Sequence, residues 1–199
     1  MHNWSVLYKY TLIGFTHVLP KGIDHILFII SLTFGGPSLR HIVKQSLAFT
    51  LAHSLTLLLG AYAIIPNMPT FIEPFIALTI FISAVLNLLS NKTSINRYKF
   101  ILPFLFGLIH GLGFASALSE IGLPQDEFTY ALLSFNIGVE LAQIVIITTI
   151  FYIVIKNFSS KDSYSYKVVY PVNTLIAIAA LYMFIDRLVS NLLLAACLS

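Results

Sequence analysis

The chain has 199 residues, of which 58% are hydrophobic and only 10% charged, with a formal net charge of +3. A soluble domain carries roughly 25% charged residues, so this chain has too few solvating groups to cover a water-facing surface; the mean hydropathy of +0.90 agrees. The basic residues are few and sit in connections, which excludes a nucleic-acid stripe, and the one cysteine, Cys197, excludes an intramolecular disulfide and a thiolate metal site.

At about 20 residues per span the length accommodates six or seven helices with short connections and no soluble domain. Residues 1–199 are therefore read as a single integral membrane domain. The opening MHNWSVLYKYTLIGF lacks a basic n-region followed by a clean cleavage site, so it is read as mature protein.

Gly, Pro, Asn and charge clusters divide the chain into apolar runs. The first, about 23–35, follows Pro20-Lys21-Gly22 and ends at Gly35-Gly36-Pro37. It is short for a span, so segment 5–19 is expected to form an associated half-helix. Further runs cover about 41–64, 71–90, 99–119, 127–156 and 168–195, and no internal repeat is visible. The fold class expected is all-α: a polytopic transmembrane bundle of about six spans plus a short N-terminal half-helix.

The connections alternate in charge. Arg40 and Lys44 flank the first, Lys92, Arg97 and Lys99 lie in the third, and Lys156, Lys161 and Lys167 in the fifth. The second (about 65–70) and fourth (about 120–126) hold neither Lys nor Arg. The positive-inside rule then places both termini outside the cytoplasm. Lys9 and Lys21 oppose this weakly.

Against this apolar background several ionisable groups stand out. One at the bilayer centre costs at least ~2.5 kcal/mol on insertion scales, so a set of them needs mutual partners or a task. Asp24 and His25 begin the first span at its outer mouth, with His17 just before it. His53 lies midway along the second span, His110 midway along the fourth and Glu140 midway along the fifth. At ~1.5 Å rise per residue these groups reach comparable depths, within ~10–15 Å of one another. Imidazole nitrogen and carboxylate oxygen suit a borderline divalent metal ion such as Ni, Co or Zn.

Each feature has a plainer alternative. Asp24 could cap a helix N-terminus, and His17 could lie at the headgroup level. His53 could be a neutral interhelical contact, with Thr50 on its face and Thr50 or Ser54 bonding a helix carbonyl. Gly107, Gly111 and Ala115 form a small-xxx-small stripe that reads as packing and leaves room beside His110. Asn136, Glu140 and Gln143 share one helical face, a stripe that lines a cavity or an interhelical network. Glu73 and Glu120 read as solvated outer ends, Asn87 as packing and the Asp186-Arg187 pair as an anchor in the last helix.

Four segments together resemble the HupE/UreJ family of bacterial membrane proteins. They are H-x6-D-H from His17 to His25, F-T-x-A-H-S-L-T from Phe49 to Thr56, F-G-L-I-H-G-L-G-F-A from Phe106 to Ala115, and F-N-x-G-V-E-x-x-Q from Phe135 to Gln143. The family is linked to hydrogenase and urease accessory functions and regarded as nickel or cobalt permeases. The resemblance implies a multi-pass protein of the bacterial inner membrane. It implies that His17, Asp24, His25, His53, His110 and Glu140 form the metal path or site, with Thr50, Ser54, Asn136 and Gln143 as supporting polar groups.

The function expected is accordingly a nickel/cobalt transporter with an intramembrane His/Asp/Glu site. It needs no ATP, and no Gly-x-x-x-x-Gly-Lys-[Ser/Thr] motif is present. The same ligands could instead hold Zn²⁺ with an open position for water, giving an intramembrane hydrolase of a lipid-like substrate with help from Ser54 or Glu140. A third reading is a non-transporting sensor or assembly subunit. Expected partners are the lipid bilayer and the metal ion, with a homo-oligomer open and no nucleic acid.

Overall fold

The computed structural model describes residues 2–36, 38–62, 64–65, 69–89, 100–121, 127–161 and 163–198. Lys92, Arg97 and Lys99 and most of the second and fourth connections lie outside these residues, as do the side chains of Ala115 and Glu120. The described residues form helices α1 (His2–Val18), α2 (Ile23–Gly35), α3 (Leu39–Ala61), α4 (Pro69–Leu89), α5 (Ile101–Ile121), α6 (Phe128–Ile150) and α7 (Tyr170–Leu198), with no strand among them. Wider π turns, Phe151–Ile155 and Ser165–Val169, prolong α6 and precede α7.

Helices α3, α4, α6 and α7 are long and apolar enough to cross a membrane, and α1 with α2 makes a further broken span bent by 71°. In α5 the described apolar stretch is shorter, Ile101–Phe114, although the helix runs for 21 residues. At ~1.5 Å per residue that is ~30 Å, the thickness of the hydrocarbon core. The half-helix expected over 5–19 is α1, of 17 residues, which joins α2 in the broken span and packs along α6.

The break between α1 and α2 has a local cause. Pro20 has no N–H to continue the helix. Leu19 N–H still bonds the Phe15 carbonyl at 2.8 Å and Gly22 N–H the Val18 carbonyl at 3.1 Å, closing the turn. At Gly22 a Cβ would run into the His17 carbonyl, so the elbow needs glycine there. It folds α2 back so that His17 and His25, on either side of it, face each other with ring centroids 4.7 Å apart. At the other end of α2 the chain leaves through extended Gly36, and Ser38 caps α3 by accepting from His41 N–H.

The helices associate as three extensive pairs, α3 with α5, α1 with α6 and α4 with α7. Helix α2 lies among them, touching α3, α4, α6 and α7. Glycine makes two of these pairs close. A Cβ on Gly107 or Gly111 would strike the carbonyls of Phe49 or His53 on α3. One on Gly14 would strike the Phe135 carbonyl of α6, and one on Gly138 the Thr11 carbonyl of α1. In a membrane, where apolar burial gives little drive between helices, such backbone approach is a main source of association.

The bundle is apolar outside and partly polar inside. Trp4, Tyr8, Leu51, Phe71, Leu175 and Tyr182 are exposed, whereas Gln45, Thr50, His53, His110, Gln143 and Asn173 are buried. Exposed apolar surface on this scale needs a covering phase, and the lipid bilayer is the one that fits long apolar helices.

Candidate metal centre

His17 closes α1, His25 opens α2 and His53 sits midway along α3. Each offers a ring nitrogen, and the three nitrogens lie within 4.8 Å of one another. The ring centroids of His25 and His53 are 5.5 Å apart and those of His17 and His53 6.3 Å. Nε2 of His17, Nε2 of His25 and both nitrogens of His53 are buried with no hydrogen-bond partner. An unpaired buried polar atom costs ~1–3 kcal/mol, so several together make a group that gains by taking up a partner.

Aromatic rings enclose the group. Phe114 lies 3.7 Å from the His17 ring by centroid and stacks on Phe135, while Phe49 stacks on His53 and meets His25 edge-on. These rings limit access by lipid and water, which strengthens electrostatic binding inside.

His110 stands beside this group rather than in it, its ring 5.3 Å from that of His25. The Thr79 hydroxyl donates to the Ile76 carbonyl at 2.7 Å and lies 3.0 Å from His110 Nε2. The two acceptors share one hydroxyl proton, so the tautomer of His110 is tied to which of them Thr79 serves. Its Nδ1 is buried and without a partner.

Asp24 is engaged elsewhere. Its Oδ2 accepts from Arg187 of α7 at 2.9 Å, and the same guanidinium donates to the Glu73 carbonyl of α4 at 3.0 Å. Asp24 makes no capping bond: α2 is preceded by Gly22, and no side chain caps it. Its Oδ1 remains buried without a partner. Arg187, read from the sequence as an anchor, thus ties the last helix to the first residues of α2.

Glu140 lies on α6, where its Oε2 accepts from Thr50 of α3 at 2.7 Å. Gln143, one turn further, accepts from Ser46 and lies 3.3 Å from Thr50. Asn136 Oδ1 and Glu140 Oε1 are buried without partners. Ser54 bonds back to the Thr50 carbonyl at 2.6 Å and so leaves its proton within its own helix.

A second network is centred on Asn87, read from the sequence as packing; its partners Ser31, Ser83 and Asn173 were not singled out. Asn87 of α4 donates to the Ser31 carbonyl at 2.7 Å and to Asn173 Oδ1 at 2.9 Å, and Ser31 lies 3.0 Å from the Ser83 hydroxyl. Its members are mutually bonded, which marks it as a clasp joining α2, α4 and α7 rather than a binding site. Two asparagines inside apolar helices were the available signal.

The family described as HupE / UreJ protein matches residues 1–187. No curated protein and no solved structure matches the chain. The family match spans every residue of the histidine group, Glu140 and the Asp24–Arg187 pair, and it agrees with the four motifs on which the resemblance was drawn. This chain is a member of the HupE/UreJ family.

Proposed function

We propose that this protein is a permease for a divalent transition-metal cation, nickel or cobalt, and that His17, His25 and His53 form its intramembrane binding site. Family membership implies a metal transport or accessory role. The observation that carries the finer reading is the three-histidine group, whose ring nitrogens lie within 4.8 Å of one another and include buried atoms with no partner. Neutral imidazole suits borderline cations, and a buried group of three leaves positions open for water or a further ligand. His110 adds a further ring nitrogen next to His25, and Asp24 adds a carboxylate oxygen at the mouth of α2.

The placement favours passage over a resident ion. The three ligands come from three helices, two of them joined by a broken elbow, so relative movement of the helices changes the site. Sites built at interrupted helices near the membrane midplane are a feature of secondary transporters. The cation is the substrate, and because the ligating rings must be neutral, its binding weakens under conditions acid enough to protonate them.

The test is uptake of Ni²⁺ or Co²⁺ into proteoliposomes loaded with a chelating dye. Wild-type protein is expected to admit the ion above the rate of empty liposomes, and His53→Ala, monodisperse in detergent, to lower that rate by ~10-fold or more. Equal rates with and without protein would contradict the proposal. Binding without uptake, accompanied by metal-dependent cleavage of a lipid-like ester, would replace transport by hydrolysis.

A further inference from the structure

The side-chain bonds between helices sort the bundle into two groups. In the first, α2, α4 and α7 are tied at two levels. At one, the Arg187 guanidinium of α7 holds Asp24 of α2 and the Glu73 carbonyl of α4, and Asn191 of α7 donates to the Thr70 carbonyl of α4. At the other, Asn87 of α4 donates to the Ser31 carbonyl of α2 and to Asn173 of α7, while the Ser31 and Ser83 hydroxyls meet at 3.0 Å. From Glu73 to Asn87 α4 rises ~21 Å, which is the distance between the two ties. One such bond within a membrane is worth ~1 kcal/mol. Two sets of them, at opposite ends of the same three helices, resist pivoting as well as sliding.

In the second group, α3 joins α6 through Thr50 with Glu140 and Ser46 with Gln143. Thr11 of α1 donates to the Ser134 carbonyl of α6 at 3.2 Å, beside the backbone approach at Gly14 and Gly138, and Gly107 and Gly111 bring α5 onto α3. Where the two groups meet, the contacts are of another kind. Phe28 of α2 lies on Phe49 of α3 with ring centroids 4.8 Å apart, and the end of the Ile76 side chain of α4 fills the space over Gly113 of α5. Among the described residues, the side-chain hydrogen bond that crosses is that between Thr79 and His110. Apolar surfaces can shift against one another without stranding polar atoms. Helix α2 can go with α4 and α7, since the elbow at Pro20 and Gly22 separates it from α1 and extended Gly36 separates it from α3.

The boundary runs through the histidine group: His25 stands on α2, whereas His17 and His53 stand on α1 and α3. Resting on the permease reading above, we infer that α2, α4 and α7 move as one rigid body against α1, α3, α5 and α6, and that this movement releases the divalent cation by carrying His25 away from His17 and His53. The His25 ring lies 4.7 Å from that of His17 and 5.5 Å from that of His53, and both separations span the boundary. The cation then loses one of its three ring ligands, while His17 and His53 stay together on one body. Rocking of one helix group against another about a site between them is a route to alternating access in secondary transporters.

The test bridges pairs of introduced cysteines, with Cys197, which is free and exposed, replaced by Ser. Ile76→Cys with Gly113→Cys crosses the boundary, because a Cβ on Gly113 would lie against the Ile76 side chain; Ile72→Cys with Gly113→Cys, where Ile72 Cγ2 is 3.6 Å from that Cβ, is used if the first pair does not close. Ser31→Cys with Ser83→Cys, at hydroxyls 3.0 Å apart, lies within one body. Each pair is oxidised with diamide and compared with its own reduced form for bound metal in detergent and for uptake of Ni²⁺ or Co²⁺ into proteoliposomes. The boundary bridge is expected to keep bound metal but to lower uptake by ~10-fold or more, reversibly on reduction, and the bridge within one body to leave uptake within ~2-fold. Undiminished uptake with the boundary bridge closed would overturn the inference, as would an equal loss with the bridge inside one body. Failure of both boundary pairs to close would also overturn it, since α4 would then not meet α5 at Gly113. A wild-type protein with no uptake above empty liposomes would instead remove the permease reading itself.

Discussion

Arg187 is the residue whose role the sequence conceals most. It reaches Asp24 across 163 positions, and nothing local to either residue announces the other. The two side chains are about four-fifths withdrawn from the surface, at 20% and 22% exposure, so removing one partner strands the other's charge. Arg187→Leu is expected to destabilise the protein by about 2–4 kcal/mol, and the double variant with Asp24→Asn by less than the sum of the two single changes, because breaking a buried pair costs more than deleting it. Unfolding in detergent measures both; additive effects would show that the pair is not coupled. The histidines, by contrast, were legible one by one, because a titratable ring in an apolar helix is anomalous wherever it occurs. Which of them converge was not legible. His17 and His25 meet only through the elbow at Pro20 and Gly22, and His110 is turned to Thr79 by a hydroxyl that looked unremarkable on α4.

At the scale of the helix, glycine sets the distances on which the site depends. Gly14 and Gly138 let α1 and α6 touch backbone to backbone, and Gly107 and Gly111 do the same for α5 and α3 at the level of His53. Gly138→Ala would place a methyl group against the Thr11 carbonyl and the Phe15 amide, atoms that cannot turn aside as a flexible side chain would. It is expected to cost about 1–3 kcal/mol, the usual effect of overpacking, and to lower the melting temperature in detergent, whereas alanine at exposed Leu141 on the same helix is expected to do neither. A Gly138→Ala protein as stable as the wild type would show that the helices can separate without loss. The stripe Gly107-Gly111 could be read from spacing alone, since small residues four apart have one common use in a membrane helix. The close approach of α1 and α6 at Gly14 and Gly138 could not, because each glycine stands on a different helix. Helix α2 was bounded by its flanking Gly and Pro, and Ile23–Gly35 agrees with the run expected at 23–35. Helix α1, His2–Val18, likewise agrees with the half-helix expected over 5–19.

The molecule as a whole is a bundle with lipid-type surface outside and a line of polar groups within. That arrangement followed from composition: with so few charged residues, those at mid-helix had to face inward. The order of packing did not follow from it. Nothing in the sequence shows that α3 pairs with α5, α1 with α6 and α4 with α7, or that the short α2 lies among them, because such pairings depend on which faces fit over distances that no local pattern records. Their consequence is that α1, α2 and α3, each carrying one of His17, His25 and His53, bring these rings to one place. Elemental mass spectrometry of the detergent-purified protein, after incubation with Ni²⁺, Co²⁺ or Zn²⁺ and removal of free ion, tests that claim most directly. The wild type is expected to retain metal in a fixed ratio to protein, and folded His17→Ala, His25→Ala and His53→Ala to lose it, with affinity down by ~10-fold or more in each. A wild type that retains none of the three metals would contradict the account and leave the histidines as groups that merely pack the helices.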